Sequence, residues 1–335
     1  MRILLDENKR FYKANLHCHT TNSDGSATPE RIKEEYKKRG YSVVAFTDHE
    51  HIIDNSHLTD ESFLAINGCE VAIKEDPTAS TMTSPMLRVT HLNFYATEPD
   101  NLTTPCYNSV ADHFCKNIDP KVIRHDGEYT RTYSREGITE MINLGHVLGF
   151  MVAYNHPGWS LETAADYLGY EGLDFVEIRN HSCCTMGHSE DEHAYEDMLR
   201  AGKKVWCTAA DDNHNRADFD APDSDSFGGF VMINADRLDY RTIISALKNG
   251  DFYASGAPEI YSLTLDGDEV HVRCSPAKRV VMISRGRARI TVTAPDGEFL
   301  TDVRVKLRAD FDGFRVKVTD EHNLSAWSQF YEMGE

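Results

Sequence analysis

The chain has 335 residues, of which 40% are hydrophobic and 27% charged, a composition typical of a folded globular protein. Its formal net charge of −19 argues against a nucleic-acid partner, because a phosphate backbone would be repelled on average. No apolar run approaches the roughly 20 residues that span a bilayer, and five of the first ten residues are charged, so we expect neither a membrane partner nor a secretory signal.

The eight cysteines include no Cys-x-x-Cys pair, which argues against a zinc ribbon or a dithiol redox motif. Several of them lie inside apolar, strand-like runs, as reduced core cysteines do. This usage predicts a protein of the cytoplasm, where thiols stay reduced.

Short apolar runs alternate with helix-like segments through the first three-quarters of the chain, the pattern of βα units around a parallel sheet. The predicted strands lie at 13–20, 42–49, 64–73, 88–96, 149–155, 174–179, 205–211 and 229–234. The predicted helices, each closed by a glycine, lie at 28–40, 134–145, 190–202 and 240–250. Turn formers without periodicity fill 97–132, which indicates an inserted lid or binding loop.

The character of the sequence changes at about Pro258. Alternating apolar and polar residues, separated by Asp-Gly turns, predict strands at 269–274, 280–284, 288–293, 303–309 and 314–319. We therefore divide the chain into a first domain, 1–257, which carries the insertion at about 97–132, and a small all-β, sandwich-like domain, 258–335.

The first predicted strand carries the motif His17-Cys18-His19. Side chains two residues apart on a strand share a face, so both imidazoles point to one side and the thiol to the other. Such a pair of histidines is weak evidence by itself, because it occurs often by chance. Its significance depends on what the other strands carry.

Further polar side chains recur at or near the carboxyl ends of the later strands. In chain order they are Asp24, His49, Glu70, His91, His156, Asp212 and His214. In a closed parallel barrel these strand ends converge on one region. Six histidines and three carboxylates meeting there would be a costly cluster of buried polar groups unless metal ions were present.

Nine nitrogen and oxygen ligands exceed what one ion takes and suit two or three divalent metals. Glu70 is well placed to bridge neighbouring ions, since its strand lies between the first and the fourth. The absence of thiolate ligands leaves zinc, iron and manganese as candidates. The pattern therefore predicts a multinuclear metal centre.

The chain resembles the PHP (polymerase and histidinol phosphatase) superfamily of metallohydrolases over roughly residues 12–256. The resemblance rests on NLHCHTTNSDG and FTDHEHI near the start, and on NGCE, THLNFYA, YNHP and DDNH further on. It implies an α/β fold, a distorted (β/α)7 PHP-type barrel. It also implies three metal sites: His17, His19, Glu70 and Asp212; Glu70, His91 and His156; Asp24, His49 and His214.

A narrower resemblance extends into the C-terminal part. The stretches ISALKNGDFYASGAPEIYSLTLDG and FRVKVTDEHNLSAWSQFYE are similar to the CehA/McbA-like branch, which pairs the barrel with a small β domain. Two features depart from compact members, namely the segment KEDPTASTMTSP between Glu70 and His91 and the larger insertion at 97–132. Both departures concern the substrate pocket rather than the metal ligands.

Two or three divalent cations would activate a water and act as Lewis acids on a substrate oxygen. The leading hypothesis is therefore an enzyme, a phosphoesterase acting on a small phosphorylated molecule. A carboxylic ester or carbamate hydrolase on the same metal site is the first alternative, favoured by the C-terminal resemblance. A non-catalytic metal-binding module is the second, and it would predict broken ligand positions.

A phosphate substrate would call for a cationic partner near the metals. The candidates are Arg131, Arg135, Arg179 and His181. Arg179 ends the predicted sixth strand and is therefore expected to reach the site. Arg135 opens a predicted helix, where a surface charge is the simpler interpretation.

Four more side chains are candidates for supporting roles, and two of them, Asp48 and Asp211, directly precede predicted ligands. Asp48 and Asp211 are expected to hydrogen-bond imidazoles, as outer carboxylates often do at metal sites. Glu177 is expected either to support a ligand in the same way or to form a salt bridge, and Trp159 either to wall the pocket or to pack. From the sequence, Asp48, Arg179 and His181 are the proposed catalytic residues.

Overall fold

The structure, a computed structural model, describes residues 1–334 apart from 84–85, 112–114 and 116–117, so His113 of the insertion lies outside the described residues. Its strands form one sheet of fourteen strands and one of four. The first ten are β1 Arg2–Leu5, β2 Arg10–Asn15, β3 Tyr41–Phe46, β4 Leu64–Lys74, β5 Val89–Ala96, β6 Phe150–Tyr154, β7 Phe175–Asn180, β8 Trp206–Ala210, β9 Phe230–Ala235 and β10 Phe252–Ser255. The others are β11 Ile260–Asp266, β12 Glu269–Ala277, β13 Arg279–Ile283, β14 Arg289–Thr293, β15 Leu300–Lys306, β16 Gly313–Thr319, β17 Ser325–Ser328 and β18 Tyr331–Glu332.

The helices of the described residues lie between the strands of the first part of the chain. They are α1 Pro29–Lys38, α2 Arg135–Val147, α3 Ala164–Tyr167, α4 His181–Thr185, α5 Glu192–Arg200 and α6 Tyr240–Asn249. Short 3-10 turns occur at Ser56–Leu58 and Pro120–Val122. None of the helices in this described part has the length and apolar content needed to cross a membrane.

Two of the predicted helices begin and end at the residues that their capping chemistry indicates. The Thr28 side chain accepts a hydrogen bond from the Arg31 N–H at 3.3 Å, and α1 follows at once. At α6 the Asp239 side chain accepts from the Thr242 N–H at 3.0 Å, and Gly250 terminates the helix with a φ of +75°. The helices predicted at 28–40 and 240–250 are confirmed.

Helix α2 differs from its prediction at its end. It runs on to Val147 rather than stopping at Gly145. Gly145 is buried, and a Cβ at this position would lie 2.5 Å from the ring of Phe94 on β5. The glycine therefore permits a close approach between helix and sheet and does not terminate the helix.

The expectation of a closed parallel barrel is not confirmed. The strands that carry or precede the predicted ligands follow the order β9–β2–β3–β4–β5–β6–β7–β8. Four of these pairings are parallel, but β2–β9, β4–β5 and β5–β6 are antiparallel. Strands β4 and β5 are joined without a helix in the described part of their connection, whereas parallel neighbours need a crossover, usually a helical one. The sheet is mixed, and its ladder is not closed.

The chain segments that follow β2 and β8 meet just beyond the carboxyl ends of these two strands. Cys18, after β2, forms a parallel bridge with Asn213, after β8. The His19 N–H donates to the Asn213 carbonyl at 3.1 Å, and the Asp212 N–H donates to the His17 carbonyl at 2.9 Å. The His-Cys-His motif therefore follows the strand instead of lying within it, and it is tied directly to the segment after β8.

The chain after residue 257 consists of strands, as predicted. Strands β11, β12 and β15 form the four-stranded sheet together with β1, while β13, β14, β16 and β17 extend the fourteen-stranded sheet. Leu263, Val272 and Val316, which come from both sheets, are buried in one apolar cluster. The large sheet crosses the predicted domain boundary, because β10 pairs with β9 on one side and with β17 on the other.

Candidate metal centre

The structure brings the nine predicted ligand residues into one cluster at the carboxyl edge of the central strands. Their possible ligand atoms fall into three overlapping groups, and within each group all of these atoms lie within 4.8 Å of one another. The groups are His17, His19, Glu70 and Asp212; Glu70, His91 and His156; and His19, Asp24, His49 and His214. These are the sets that the sequence resemblance implied, with His19 added to the third.

The first group is completely buried at its histidines. The Nε2 atoms of His17 and His19 lie 3.2 Å apart, and each lies within 3.2 Å of Oδ1 of Asp212. Two atoms bound to one ion at about 2.1 Å lie roughly 3.0–3.4 Å apart in octahedral or tetrahedral geometry. The distances between these three atoms therefore fit a divalent cation that all three would bind. Imidazole nitrogens and carboxylate oxygens are also suitable ligands for such a cation.

Glu70 lies at the middle of the cluster. Its two carboxylate oxygens lie 3.0–3.4 Å from ring nitrogens of five histidines: His17, His19, His49, His91 and His156. Its side chain is 1% exposed. The Glu70 carboxylate therefore lies close to residues of all three groups, which is the position that a bridging ligand would need.

The third group forms the open side of the cluster. Oδ1 of Asp24 lies 3.3 Å from Nε2 of His214 and 3.5 Å from Nε2 of His49. The other oxygen of Asp24 lies 3.4 Å from the Arg216 guanidinium. Asp24 and His214 are the most exposed of the nine side chains, at 22% and 18%, so this side of the cluster is the most open to solvent.

Two residues of the cluster have a strained backbone. His156 and Asp212 have φ angles of +28° and +53°, in the left-handed region that residues other than glycine rarely adopt. Each such residue costs on the order of 1–3 kcal/mol, and strain of this kind is found mainly at functional sites. This strain turns two of the predicted ligand side chains into the cluster at the expense of stability.

A second set of polar groups orients the first. Oε1 of Glu177 accepts from Nδ1 of His17 at 2.8 Å, and its Oε2 accepts from the His156 backbone N–H at 3.1 Å. The Asn155 amide donates to Glu70 at 2.8 Å and the Asn180 amide donates to Asp212 at 3.1 Å. The expectation that Glu177 supports a ligand agrees with this geometry. Asn155 was not singled out from the sequence, although it directly precedes His156.

Protonation in the cluster is far from ordinary. Burial lowers the pKa of His19, but hydrogen bonds to Asp212 and Glu70 outweigh burial and raise it to about 10. Burial and the nearby charge of His19 lower the pKa of His49 to about 3. Burial disfavours the charge on Glu70, yet the fields of His91 and His17 hold its pKa well below its usual range. Cations that bind here would therefore displace protons from imidazoles.

Within the described part of the chain, Asp48 and Asp211 do not form the predicted hydrogen bonds to imidazoles. The Asp48 carboxylate accepts from the N–H and the hydroxyl of Thr20, at 2.7 and 2.8 Å, and from the Ser23 hydroxyl at 2.8 Å. Asp211 accepts from three successive N–H groups at 227–229, each at 2.9 Å, and from the Tyr36 hydroxyl. Both carboxylates are buried and hold loops together. Asp48 holds the loop that presents Asp24.

Arg179 and His181 are not brought to the ligand cluster. The Arg179 guanidinium donates to the Gly228 carbonyl at 2.8 Å and pairs with Glu190 at 2.7 Å. The ring of His181 packs where a Cβ on Gly228 would be, and burial lowers the pKa of this histidine. Neither side chain is among the described residues that line the cavity above the cluster. The pairing of β7 with β8 shifts its register between Glu177 and Arg179. The Arg179 side chain therefore does not point where a regular strand would place it.

The cavity over the cluster has a volume of about 1120 Å³. Asp24, His49, Glu70, His91, His156, Asp212 and His214 lie on its floor. Trp159 walls one side, with its ring centre 4.9 Å from that of His156 and 5.2 Å from that of His91. The insertion contributes Asn108, Val110, Ala111 and Arg131 to the lining. The insertion and the β4–β5 connection thus build the upper walls.

Arg131 is the one predicted phosphate-binding cation that lies on this lining among the described residues. Its guanidinium is 2.6 Å from the Glu50 carboxylate and donates to the carbonyls of Ala72 and Cys106 at 2.9–3.1 Å. Arg135, at the start of α2, donates to the Ala165 carbonyl instead. Arg131 is therefore already occupied in fixing the insertion to β4.

Comparison with known protein families gives one match. The model of the PHP domain matches residues 15–171. The PHP match includes seven of the nine clustered residues, from His17 to His156, and ends before Asp212 and His214. Together with the buried His/Glu/Asp cluster, it fits a metal-dependent hydrolase. No curated protein matches the chain at a significant level.

Solved structures give distant similarities. A two-domain protein from Bacteroides vulgatus that contains a predicted PHP-like metal-dependent phosphoesterase has 14% identity and a TM-score of 0.46, over 98% of this chain and 96% of that one. A protein from Bifidobacterium adolescentis, named by prediction as a metal-dependent phosphoesterase, has 17% identity and a TM-score of 0.31, over 60% and 87%. An amidohydrolase from Chromobacterium violaceum, with bound sulfate and no metal, has 17% identity and a TM-score of 0.35, over 57% and 84%.

Proposed function

We propose that this chain is a metal-dependent phosphoesterase, in which the cluster of nine residues holds two or three divalent cations, zinc, iron or manganese, beside a small phosphate ester. The observation that carries the proposal is the position of Glu70, whose carboxylate faces five imidazoles at 3.0–3.4 Å. A buried carboxylate in the middle of so many ring nitrogens suits a ligand shared between neighbouring ions. The PHP match over residues 15–171 supports the same assignment.

The cations, when bound, supply an activated water near neutral pH and a Lewis acid for a substrate oxygen. The chain's own residues prepare the ligands for this. Glu177 takes the hydrogen bond of His17 Nδ1, which leaves the Nε2 lone pair directed into the cluster. The Asn155 and Asn180 amides donate to Glu70 and Asp212 and keep those carboxylates in a fixed orientation.

The substrate enters, in this proposal, along the edge formed by Asp24 and His214, the most exposed of the nine residues. Trp159 covers the rings of His91 and His156 and excludes water from the opposite side. Asp48 is a positioning residue, because it holds the loop that carries Asp24. Arg179 and His181 have no part in the proposed reaction.

Hydrolysis of a carboxylic ester or carbamate on the same centre is the second candidate. It is favoured by the apolar walls of the cavity and by the occupation of Arg131 with Glu50, which leaves that guanidinium without a free face for a phosphate. A purely metal-binding role is disfavoured, because the cluster opens into a large cavity.

The test compares the metal-reconstituted protein with a His156→Ala variant and a His57→Ala control, since His57 is exposed and remote from the cluster. Metal content is measured by mass spectrometry, and turnover is measured on p-nitrophenyl phosphate, bis-p-nitrophenyl phosphate and p-nitrophenyl acetate. We expect two or three bound ions and turnover of a phosphate ester, both lost at least in part in His156→Ala and kept in His57→Ala. Full activity of His156→Ala contradicts the site, and turnover of the acetate alone favours the second candidate.

A further inference from the structure

We propose that the substrate is an amphiphilic ester, with one anionic head group at the cluster and an extended apolar group held by Met86, Val110 and Met186 in the cavity above it. This inference rests on the proposed function, since it gives the same site its substrate class. It concerns the upper part of the cavity, which the candidate metal ligands do not reach.

The first observation is the exposure of large apolar side chains around one opening. Val110 is 89% exposed, Met86 66% and Met186 60%. They come from three separate segments, the insertion, the β4–β5 connection and the end of α4, and all three line the same cavity. Of the nine most exposed large apolar side chains in the described part of the chain, these three share one opening. A soluble surface rarely collects such residues without a binding role.

The apolar surface continues from the opening down to the cluster. Ile73 on β4 and Val89 on β5 line the cavity below Met86, and Trp159 reaches the rings of His91 and His156. An apolar group can therefore lie along one wall while an attached head group contacts the floor. Because the exposed apolar residues at the opening come from three separate segments, the apolar wall is built by the fold and does not depend on the placement of one side chain.

The charges of the lining argue against a substrate with several phosphates. The described lining carries three basic side chains, Lys74, Arg131 and Arg216, and two of them face carboxylates. Arg131 is paired with Glu50, and Arg216 lies 3.4 Å from Asp24. Cations at the cluster neutralise one anionic group, but no second cluster of basic residues lies along the described walls.

The volume of about 1120 Å³ also exceeds what a head group alone fills. Pockets for drug-sized ligands measure roughly 300–1,000 Å³ and are lined mainly by apolar side chains. A free phosphate or a small sugar phosphate would leave the apolar wall in contact with water. The occupant that matches both wall and floor is an ester with a long alkyl or aryl group.

The test is isothermal titration calorimetry with protein reconstituted with Mn²⁺. Two series of non-reactive ligands are compared, methyl- with octylphosphonate and acetate with octanoate. One buried methylene is worth ~0.8 kcal/mol, or about fourfold in affinity. We therefore expect the octyl compound to bind at least 30-fold more tightly than the one-carbon or two-carbon compound in at least one series.

Two variants assign this gain to the proposed wall. Val110→Asp and Met186→Asp change exposed residues and leave the cluster intact, so they should reduce the 30-fold gain to threefold or less and keep the affinity for methylphosphonate. Val147→Asp is the matched control, because Val147 is 82% exposed at the end of α2 and does not line the cavity. This control should keep the full gain.

A gain below 30-fold in both series overturns the inference, as does a gain that both Asp variants retain. The comparison of phosphonates with carboxylates tests the chemistry of the head group separately. A gain with octanoate but no phosphonate binding would keep the apolar site and contradict the phosphoesterase proposal. Binding of both phosphonates, with no gain from the octyl group in either series, would keep the phosphoesterase proposal and contradict the apolar site.

Discussion

Replacement of Glu177 by glutamine should weaken metal binding without removing a ligand. Glu177 is 1% exposed, and its carboxylate accepts three hydrogen bonds, from Nδ1 of His17 at 2.8 Å, the His156 N–H at 3.1 Å and the Asn180 amide at 3.0 Å. A glutamine amide has one oxygen and one donating nitrogen. In either orientation the nitrogen therefore faces at least one group that is itself a donor.

The less costly orientation keeps the bonds to His156 and Asn180 and turns the new NH₂ toward His17. His17 then accepts at Nδ1 and carries its proton on Nε2, which cannot bind a cation in that form. Loss of an outer carboxylate of this kind typically costs 10- to 100-fold in metal affinity, or about 1.4–2.7 kcal/mol. We expect this loss for Glu177→Gln, with little change in the fold.

The assay is competition for the metal with a chromophoric chelator, together with kcat/KM at saturating metal. Glu190→Gln is the matched control, because Glu190 pairs with Arg179 outside the cavity. If Glu177→Gln binds metal within twofold of the unaltered protein, then His17 is not a ligand through Nε2 and the first group is wrongly assigned.

Three further predictions concern the scaffold. Asp48→Asn should lower the free energy of unfolding by about 1–3 kcal/mol in chemical denaturation, because its NH₂ would face one of the donors of Thr20 or Ser23; an unchanged midpoint contradicts this. Gly145→Ala should lower the free energy of unfolding by about 1–3 kcal/mol in the same measurement, because the new Cβ would lie 2.5 Å from the Phe94 ring. The gain in helix propensity is smaller than this steric cost. A more stable variant would show that the ring can move. The His146 ring donates a hydrogen bond to the Asp174 carboxylate at 2.9 Å, and this bond raises the pKa of His146. The protonated imidazole therefore stabilises the fold below pH 6.5, and this stabilisation is lost as the pH rises through the raised pKa of His146. His146→Gln should therefore differ from the unaltered protein by about 0.5 kcal/mol at pH 5 and not at pH 9, and an equal difference at both pH values refutes the assignment.

The residues of the cluster could be predicted from the sequence because metal chemistry restricts the residue types of a candidate site. His17, His49 and His156 lie just beyond strand ends, Glu70 lies within β4, and strands can be located from apolar runs alone. Helix limits were accessible for a similar reason, since capping by Thr28 and Asp239 depends on neighbours in the sequence. These are local signals, and the fold preserves them.

Strand direction and outer contacts were not accessible in the same way. The antiparallel placement of β5 depends on which neighbour it pairs with, and its own apolar pattern is compatible with either direction. The partners of Asp48 lie in the loop after β2, 25 and 28 residues away, so adjacency to His49 was misleading. Arg179 looked suitable because it ends a predicted strand, but the register of β7 against β8 is irregular there and the guanidinium pairs with Glu190.

The pairing of β1 with β11 has a consequence for how the protein is made. Leu5 and Leu263 are partners in this ladder, although some 260 residues separate them. At a synthesis rate of 5–20 residues per second, β1 waits on the order of 10–50 s for its partner strand. During that time its apolar side chains, Leu4 and Leu5, have no sheet to enter and are available to chaperones. Completion of the four-stranded sheet is therefore a late event in the biogenesis of the chain.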